Sequence, residues 1–412
     1  MSENGIDEMR VSEILERVES YRDLMVKTLC DLIRIKAISP DSGGEGEFDK
    51  AEYLMNLLDC FEVERFDAPD SRAKGGIRPN IVARLEGRRK RTIWIVTHID
   101  VVPEGDVRLW HTPPFEPVVK DGRIYGRGSE DNGQPLVSSL FAAKAIADSG
   151  IKPEYTLCLA FVSDEETGSR YGIQHLLEQD LFGRNDMFVV PDAGSSDGSM
   201  IEIAEKSILW LKFVVHGRQA HASMPHIAVN ASREAMRFII DLDEELHRRF
   251  DGRNDLFQPP HSTFEPTKRE ANVDNVNTIP GLDVSYMDCR ILPEYDINDV
   301  LAVVEDVRRK HEERGNGKIE VEVVQKESSP PTPEDSEVVK LLSKAIELAR
   351  GVKPAVFGIG GNTCAAFFRK AGYPTAVWST VDGVAHQPNE YAVIENMVAD
   401  AKVFALMPFL KV

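Results

Sequence analysis

Cysteine is scarce in this 412-residue chain, and the five present (Cys30, Cys60, Cys158, Cys289 and Cys364) are scattered, odd in number and never spaced Cys-x-x-Cys. That pattern speaks for reduced, mostly buried thiols in a cytoplasmic protein and against a disulfide framework. Apolar runs of membrane-spanning length are missing, so a place in the bilayer is not expected. The amino terminus, with Glu3, Asp7 and Glu8, has neither the basic start nor the apolar stretch of a signal peptide. Positive charge is also in deficit: the formal net charge is −19. Nucleic acid and anionic membrane are therefore excluded as main partners, since both demand a basic face. The one dense basic run, Arg88-Arg89-Lys90-Arg91, sits between two strand-like segments and is expected to be a solvated hairpin turn.

What is present points to two domains, because 412 residues exceed the size at which one core keeps growing. Apolar residues at helical spacing predict an opening helix over 10 to about 36 and another over Phe48 to Leu58. Strand and helix then alternate. Ile81–Leu85, Ile93–Thr97, Thr156–Val162 and Met187–Val190 read as strands, and Leu136–Ala147 and Ile173–Leu177 as helices. Such alternation means an α/β domain with a mainly parallel sheet. From about residue 207 the order changes to a strand at Ser207–Val215, a helix at Ala228–His247, a strand within Ala271–Thr278, a strand at Leu282–Ile291, a helix at Ile297–Glu312 and a strand at Ile319–Val324. That β-α-β-β-α-β order is a ferredoxin-like α+β unit. A catalytic domain at 1–206 and 327–412, interrupted by an inserted domain at 207–326, accounts for the whole pattern.

The apolar run Ile93–Thr97 ends in His98-Ile99-Asp100. Residues two apart in extended chain point to the same side, so Asp100 can accept the second ring N–H of His98 and fix its tautomer for a metal. Four more strand ends or turns carry similar residues: Asp131 in a glycine-rich turn, the adjacent Glu165 and Glu166, Asp192, and His386. Two carboxylates side by side at a buried strand end repel each other unless a cation or a shared proton is present. Two histidines with several carboxylates and no cysteine suit a pair of Zn²⁺ ions, with Co²⁺ or Mn²⁺ as substitutes. One glutamate must then stay off the metal as general base.

In order, the motifs THIDVVPEGD with WHTPPFEP, YGRGSEDNG, SDEETGS, PDAG and GVAHQPNEY resemble the co-catalytic zinc peptidases and amidohydrolases. That family includes aminoacylase, carboxypeptidase G, succinyl-diaminopimelate desuccinylase, acetylornithine deacetylase and carnosinase-like dipeptidases, and the resemblance spans nearly the whole chain. It implies that Asp131 bridges two metals, with His98 and Asp192 completing one site and Glu166 and His386 the other. It makes Glu165 the general base and Asp100 the partner of His98. The inserted-domain segment Gly217–Pro225, with Asn230-Ala231, resembles the family's dimerisation signature. There His221 would reach into the partner subunit's site of a homodimer to stabilise an oxyanion. Asn277 and Arg290 match substrate-binding positions, Arg290 placed to grip a substrate carboxylate by a bidentate pair. Gly360 and Gly361 match a loop along the substrate backbone, and closure of the inserted domain would bring Arg290 and His221 onto the substrate.

The departures are informative. Asn132-Gly133 follows Asp131 where many members have lysine and then glycine, and the glycine loop lacks the acidic residue often found after its threonine. Deacylases of the family usually carry glutamate where this chain has Asp192, whereas aminopeptidase and dipeptidase members carry aspartate. The wording around His98 resembles the desuccinylase and deacetylase branch instead. The implied activity is two-metal hydrolysis of the amide bond in a small N-acyl amino acid, with a dipeptidase or aminopeptidase as the alternative.

Overall fold

The computed structural model describes residues 8–411 apart from Asn316, so Glu3 and Asp7 lie outside the described residues. The chain forms two compact units. One runs to Ile203 and resumes over Thr332–Val356 and from Thr363 onward; the other comprises Ala204–Pro331 and Phe357–Asn362.

An eight-stranded sheet organises the first unit, in the spatial order Glu62–Pro69, Ile77–Leu85, Tyr155–Val162, Arg89–His98, Met187–Gly194, Thr375–Ser379, Met200–Glu205 and Ala355–Ile359. The four middle strands run parallel. Every residue of Tyr155–Val162 is buried, as continuous apolar strands require when both sheet faces are covered. One face carries Trp94, Val96, Cys158, Ala160, Phe188, Val190 and Val377 in a core closed by Ile173, Leu176 and Phe368. These are alternate residues of each strand, the period-two pattern of a pleated sheet. The helices Gln134–Ser149 and Ile394–Leu406 pack together, and both are buried along most of their length.

The second unit is a four-stranded antiparallel sheet in the order Thr263–Arg269, Leu282–Ile291, Ser207–His216, Lys318–Glu327. The helices Ala231–Arg249 and Ile297–Arg314 complete the β-α-β-β-α-β order. Leu282–Ile291 alternates buried and partly exposed positions along most of its length, so one face packs on the helices through Leu209, Phe213, Phe238, Phe264, Met287 and Val304. Asn230 starts the first of these helices by accepting from the Arg233 amide at 3.1 Å.

Four expectations change. The predicted strand within 271–278 is instead Thr263–Arg269, and of that stretch only Thr278 belongs to a strand, the two-residue Thr278–Ile279. The opening helix is two helices, Glu8–Ser20 and Arg22–Arg34, separated at Tyr21. The basic run is not a hairpin turn: Arg89–Arg91 begin a strand, and Tyr155–Val162 lies between it and Ile77–Leu85. The segment 357–362, read with the catalytic portion, groups with the second unit. There the Gly358 amide donates to the Leu256 carbonyl at 2.6 Å and Arg290 Nη1 to the Gly360 carbonyl at 2.8 Å. Among the described residues no cysteines are bridged, and only Cys60 is exposed. No described helix is long and apolar enough to cross a membrane.

Candidate metal centre

The carboxyl ends of the four parallel strands deliver the chemistry, where open α/β sheets place their ligands. Arg89–His98 ends in the buried His98. Tyr155–Val162 leads through Asp164 into Glu165 and Glu166, and Met187–Gly194 contains Asp192 near its end. Thr375–Ser379 leads to His386, whose backbone is left-handed at φ +62°. Asp131 comes from the turn before the Gln134–Ser149 helix, where the Asp131–Asn132 peptide is cis.

All six side chains converge within the first unit. His98 Nε2 is 2.9 Å from Asp131 Oδ1 and 3.5 Å from Asp192 Oδ1. His386 Nε2 is 3.0 Å from Asp131 Oδ2 and 3.1 Å from Glu166 Oε2. Asp131 thus turns one oxygen toward each histidine. Two groups sharing His98, one with Asp131 and Glu166 and one with Glu165 and Asp192, have candidate ligand atoms within 4.8 Å of one another. Asn132 Nδ2 steadies Asp192 by donating to its Oδ1 at 3.0 Å and to the Pro191 carbonyl at 2.8 Å.

Asp100 works differently from the expectation. His98 Nδ1 meets the Asp100 carbonyl at 3.0 Å, with the carboxylate farther away at 3.4 Å. The carboxylate oxygens accept instead from the amides of Glu165 and Glu166, at 3.1 and 3.0 Å. One residue therefore orients the imidazole through its backbone and the glutamate pair through its side chain.

Against the protein's own charges alone, the cluster is strongly polarised. Hydrogen bonds to Asp131 and Glu166 push His386 up to about 10. Burial would lower His98, but hydrogen bonds to Asp100, Asp131 and Asp192 hold it well above the usual range. Burial raises Asp131, yet His386 and His98 together keep it below the ordinary value. Burial and then Asp131 bring Glu166 up to about 7, while burial and then Asp192 push Glu165 well above the usual carboxyl range. Glu166 Oε1 is buried with no hydrogen-bond donor. A lone pair orphaned among crowded carboxylates and facing imidazoles is what a cation would satisfy, and nitrogen and oxygen donors without sulfur fit zinc, cobalt or manganese.

In the second unit, two pairs of sequence-predicted residues come together. His221 lies opposite Thr278 in a short ribbon, beside Asn277, whose carbonyl accepts from the Ala222 amide at 2.8 Å. The His221 ring is exposed, its Nδ1 2.8 Å from Ser223 Oγ. Arg290 and Gly360 form the other pair, with Gly361 next in the chain. The forked edge of Arg290 expected to take a substrate carboxylate is held by Asp288, at 2.7 Å from Nε and 3.1 Å from Nη2.

Two buried carboxylates, Glu130 and Glu390, escaped the sequence reading, though each lies within four residues of a predicted ligand. Lys50 escaped it too, a lysine inside the first unit that burial brings down to about 8 against Asp100, Glu47 and Glu390.

A parallel sheet whose strand ends gather two imidazoles and a ring of carboxylates is the framework of a metal-dependent hydrolase. The profile of peptidase family M20/M25/M40 matches residues 94–408, and the chain belongs to that family. It is 43% identical over 398 residues to an uncharacterized metallohydrolase of Methanocaldococcus jannaschii, covering 92% of this chain and 97% of that one. It is 28% identical over 378 residues to a succinyl-diaminopimelate desuccinylase of Alkalilimnicola ehrlichii, covering 90% and 95%. Among solved structures, aminopeptidase PepT from Bacillus cereus superposes with a TM-score of 0.74 at 19% identity, over 94% of this chain and 98% of that one, a likeness of fold.

Proposed function

We propose that this metallohydrolase cleaves the amide bond of a small N-acyl amino acid. The observation that carries the reading is the convergence of His98, Asp131, Glu166, Asp192 and His386 around one space with Glu165 beside it. His98 and Asp192 would hold one ion, Glu166 and His386 the other, and Asp131 would serve both. When bound, two ions, zinc with cobalt or manganese as substitutes, supply Lewis acidity that polarises the amide carbonyl and makes water acidic enough to deprotonate near neutral pH. Glu165 takes the proton of the attacking water and returns it to the leaving amine. His221 from a second copy of the chain, in a homodimer, donates to the developing oxyanion. Asn277, Gly360 and Gly361 line the rest of the substrate. Three of the five N–H donors of Arg290 are engaged by Asp288 and Gly360, and the other two remain for an acidic group of the substrate. The cysteine pattern supports a cytoplasmic setting.

The acyl-amino-acid reading rests on the wording around His98 and on the desuccinylase relative that matches 90% of the chain. Asp192 favours a second reading, a dipeptidase or aminopeptidase. A paired panel decides between them: zinc- or cobalt-loaded protein is offered N-succinyl and N-acetyl amino acids on one side and unblocked dipeptides on the other. Turnover of the acylated set is expected. Turnover of free dipeptides alone would replace the first reading with the second.

A further inference from the structure

We infer that Glu130, to which the sequence assigns no role, is the positioning residue that holds the loop carrying His386 against the turn carrying Asp131. The loop from Thr380 to Glu390 has no strand or helix to satisfy its backbone. Four consecutive amides of that loop point at one carboxylate. Glu130 Oε1 accepts from Asp382 at 2.7 Å and Gly383 at 3.2 Å, and Oε2 from Val384 at 2.6 Å and Ala385 at 2.9 Å. The next residue is His386. Charge-assisted bonds from backbone amides to a carboxylate are among the stronger hydrogen bonds available.

The grip is reciprocal. Glu390, four residues past His386, accepts from the amides of Glu130 and Asp131 at 2.9 and 3.1 Å and from the Gly128 amide at 3.1 Å, with Arg127 Nη1 at 2.6 Å. The turn that carries Asp131 thus sends one carboxylate into the His386 loop and receives one back. Between them these two anchors set the spacing of Asp131 and His386, whose side chain is itself more than half exposed. No such loop supports the other half. His98 is set by the end of a central strand and the Asp100 carbonyl, and Asp192 by the next strand and Asn132. Loss of Glu130 should therefore be felt by one ion and not by the other.

This inference rests on the metal reading of His386, and the test separates the two. Zinc is titrated into metal-free wild type, E130Q, E130A and H386A against a chromophoric chelator, with circular dichroism to confirm folding. A glutamine turns an NH₂ group toward amides that are themselves donors, so even the isosteric change breaks the cradle. H386A should lose one of two ions. E130Q should weaken one of the two zinc affinities by about tenfold or more, the scale of lost support behind a metal ligand, and leave the other within about twofold. Equal losses at both sites, as general destabilisation gives, or no loss at either, would overturn the role of Glu130 while leaving His386 a ligand. If H386A keeps both ions, the metal reading of that histidine fails and the inference with it. A measurement on the unaltered chain guards against variants that do not fold: amides 382–385 of the metal-free wild type should exchange slowly with deuterium, and fast exchange would dismiss the clamp.

Discussion

Glu165 and Glu166 are neighbours in sequence with the same side chain, and their surroundings separate them. Glu166 presents Oε2 to His386 at 3.1 Å and leaves Oε1 without a donor, the posture of a ligand. Glu165 Oε1 instead accepts from the Cys364 amide at 3.2 Å. A carboxyl steadied in this way suits proton transfer, which contributes about 10²- to 10⁴-fold to rate. Replacing Glu165 by alanine is expected to lower kcat by that factor while the protein still binds about two metal ions per chain. Elemental analysis beside the kinetic assay reads both, and either retained turnover or lost metal would remove Glu165 from the role of base. The six converging side chains were legible in the sequence because each follows a strand or glycine-rich turn whose pattern is local. Glu130, Glu390 and Lys50 were not legible, because their roles depend on elements that meet only in the fold: Glu130 accepts from residues some 250 positions away. Asp100 was half legible. Spacing placed it beside His98, but only the fold could show that its carboxylate is engaged by the Glu165 and Glu166 amides.

Strands with a clear apolar run, such as Thr156–Val162 and Ser207–Val215, were readable; the buried Met200–Glu205 was not read, and the strand that pairs with Leu282–Ile291 at the sheet edge was misplaced. Thr263–Arg269 is an edge strand, mostly exposed, with Pro266 at an irregularity of its register, so it shows no apolar alternation and carries a strand breaker. The opening helix breaks at Tyr21, whose ring packs on Phe141 and whose hydroxyl donates to Asp148. The apolar period passes through that break unaltered. The basic run misled because its partners are distant: Arg89 pairs with Glu154, and Arg91 with Glu337. A buried ion cluster at the Ile77–Leu85 strand was likewise invisible. Arg78 there is fully buried, bonded through Nε to Glu47 Oε2 at 2.6 Å and through Nη2 to Asp164 Oδ1 at 3.3 Å, with Asp70 Oδ2 at 3.6 Å from Nη1. It ties the Phe48–Met55 helix to the strand end that carries the two glutamates. Arg78→Ala would strand buried carboxylates without their cation, and breaking such a cluster from one side costs about 3 to 5 kcal/mol. Urea unfolding of wild type and variant should show that loss. Removing Glu47 as well should return part of it, since one of the uncompensated charges then goes too.

At the scale of the whole molecule, the interruption of one unit by the other sets what each can do alone. The insertion leaves the first unit after Ile203 and returns at Thr332, and these two residues meet: the Thr332 amide donates to the Ile203 carbonyl at 2.8 Å. Thr332 is anchored in the first unit, its hydroxyl donating to the Thr375 carbonyl at 2.6 Å and accepting from the Thr375 amide at 3.1 Å. Two ends already in hydrogen-bond contact can be joined by a few residues without pulling the sheet apart. The core on the face of the sheet that carries Trp94 and Phe188 draws, among the described residues, on no residue of the insertion, and all six converging side chains belong to the first unit. Replacing 207–330 by a short glycine-serine linker is therefore expected to leave a cooperatively folded protein that binds about two metal ions per chain. The same protein should not turn over any substrate of the intact enzyme. It lacks His221, Asn277 and Arg290, and loss of a single oxyanion donor already costs about 10²- to 10³-fold. Thermal melts with and without chelator, metal content and the substrate panel would together read the outcome. A shortened chain that kept full activity would remove the second unit from catalysis, and one that folded but held no metal would show that the centre needs the insertion to form.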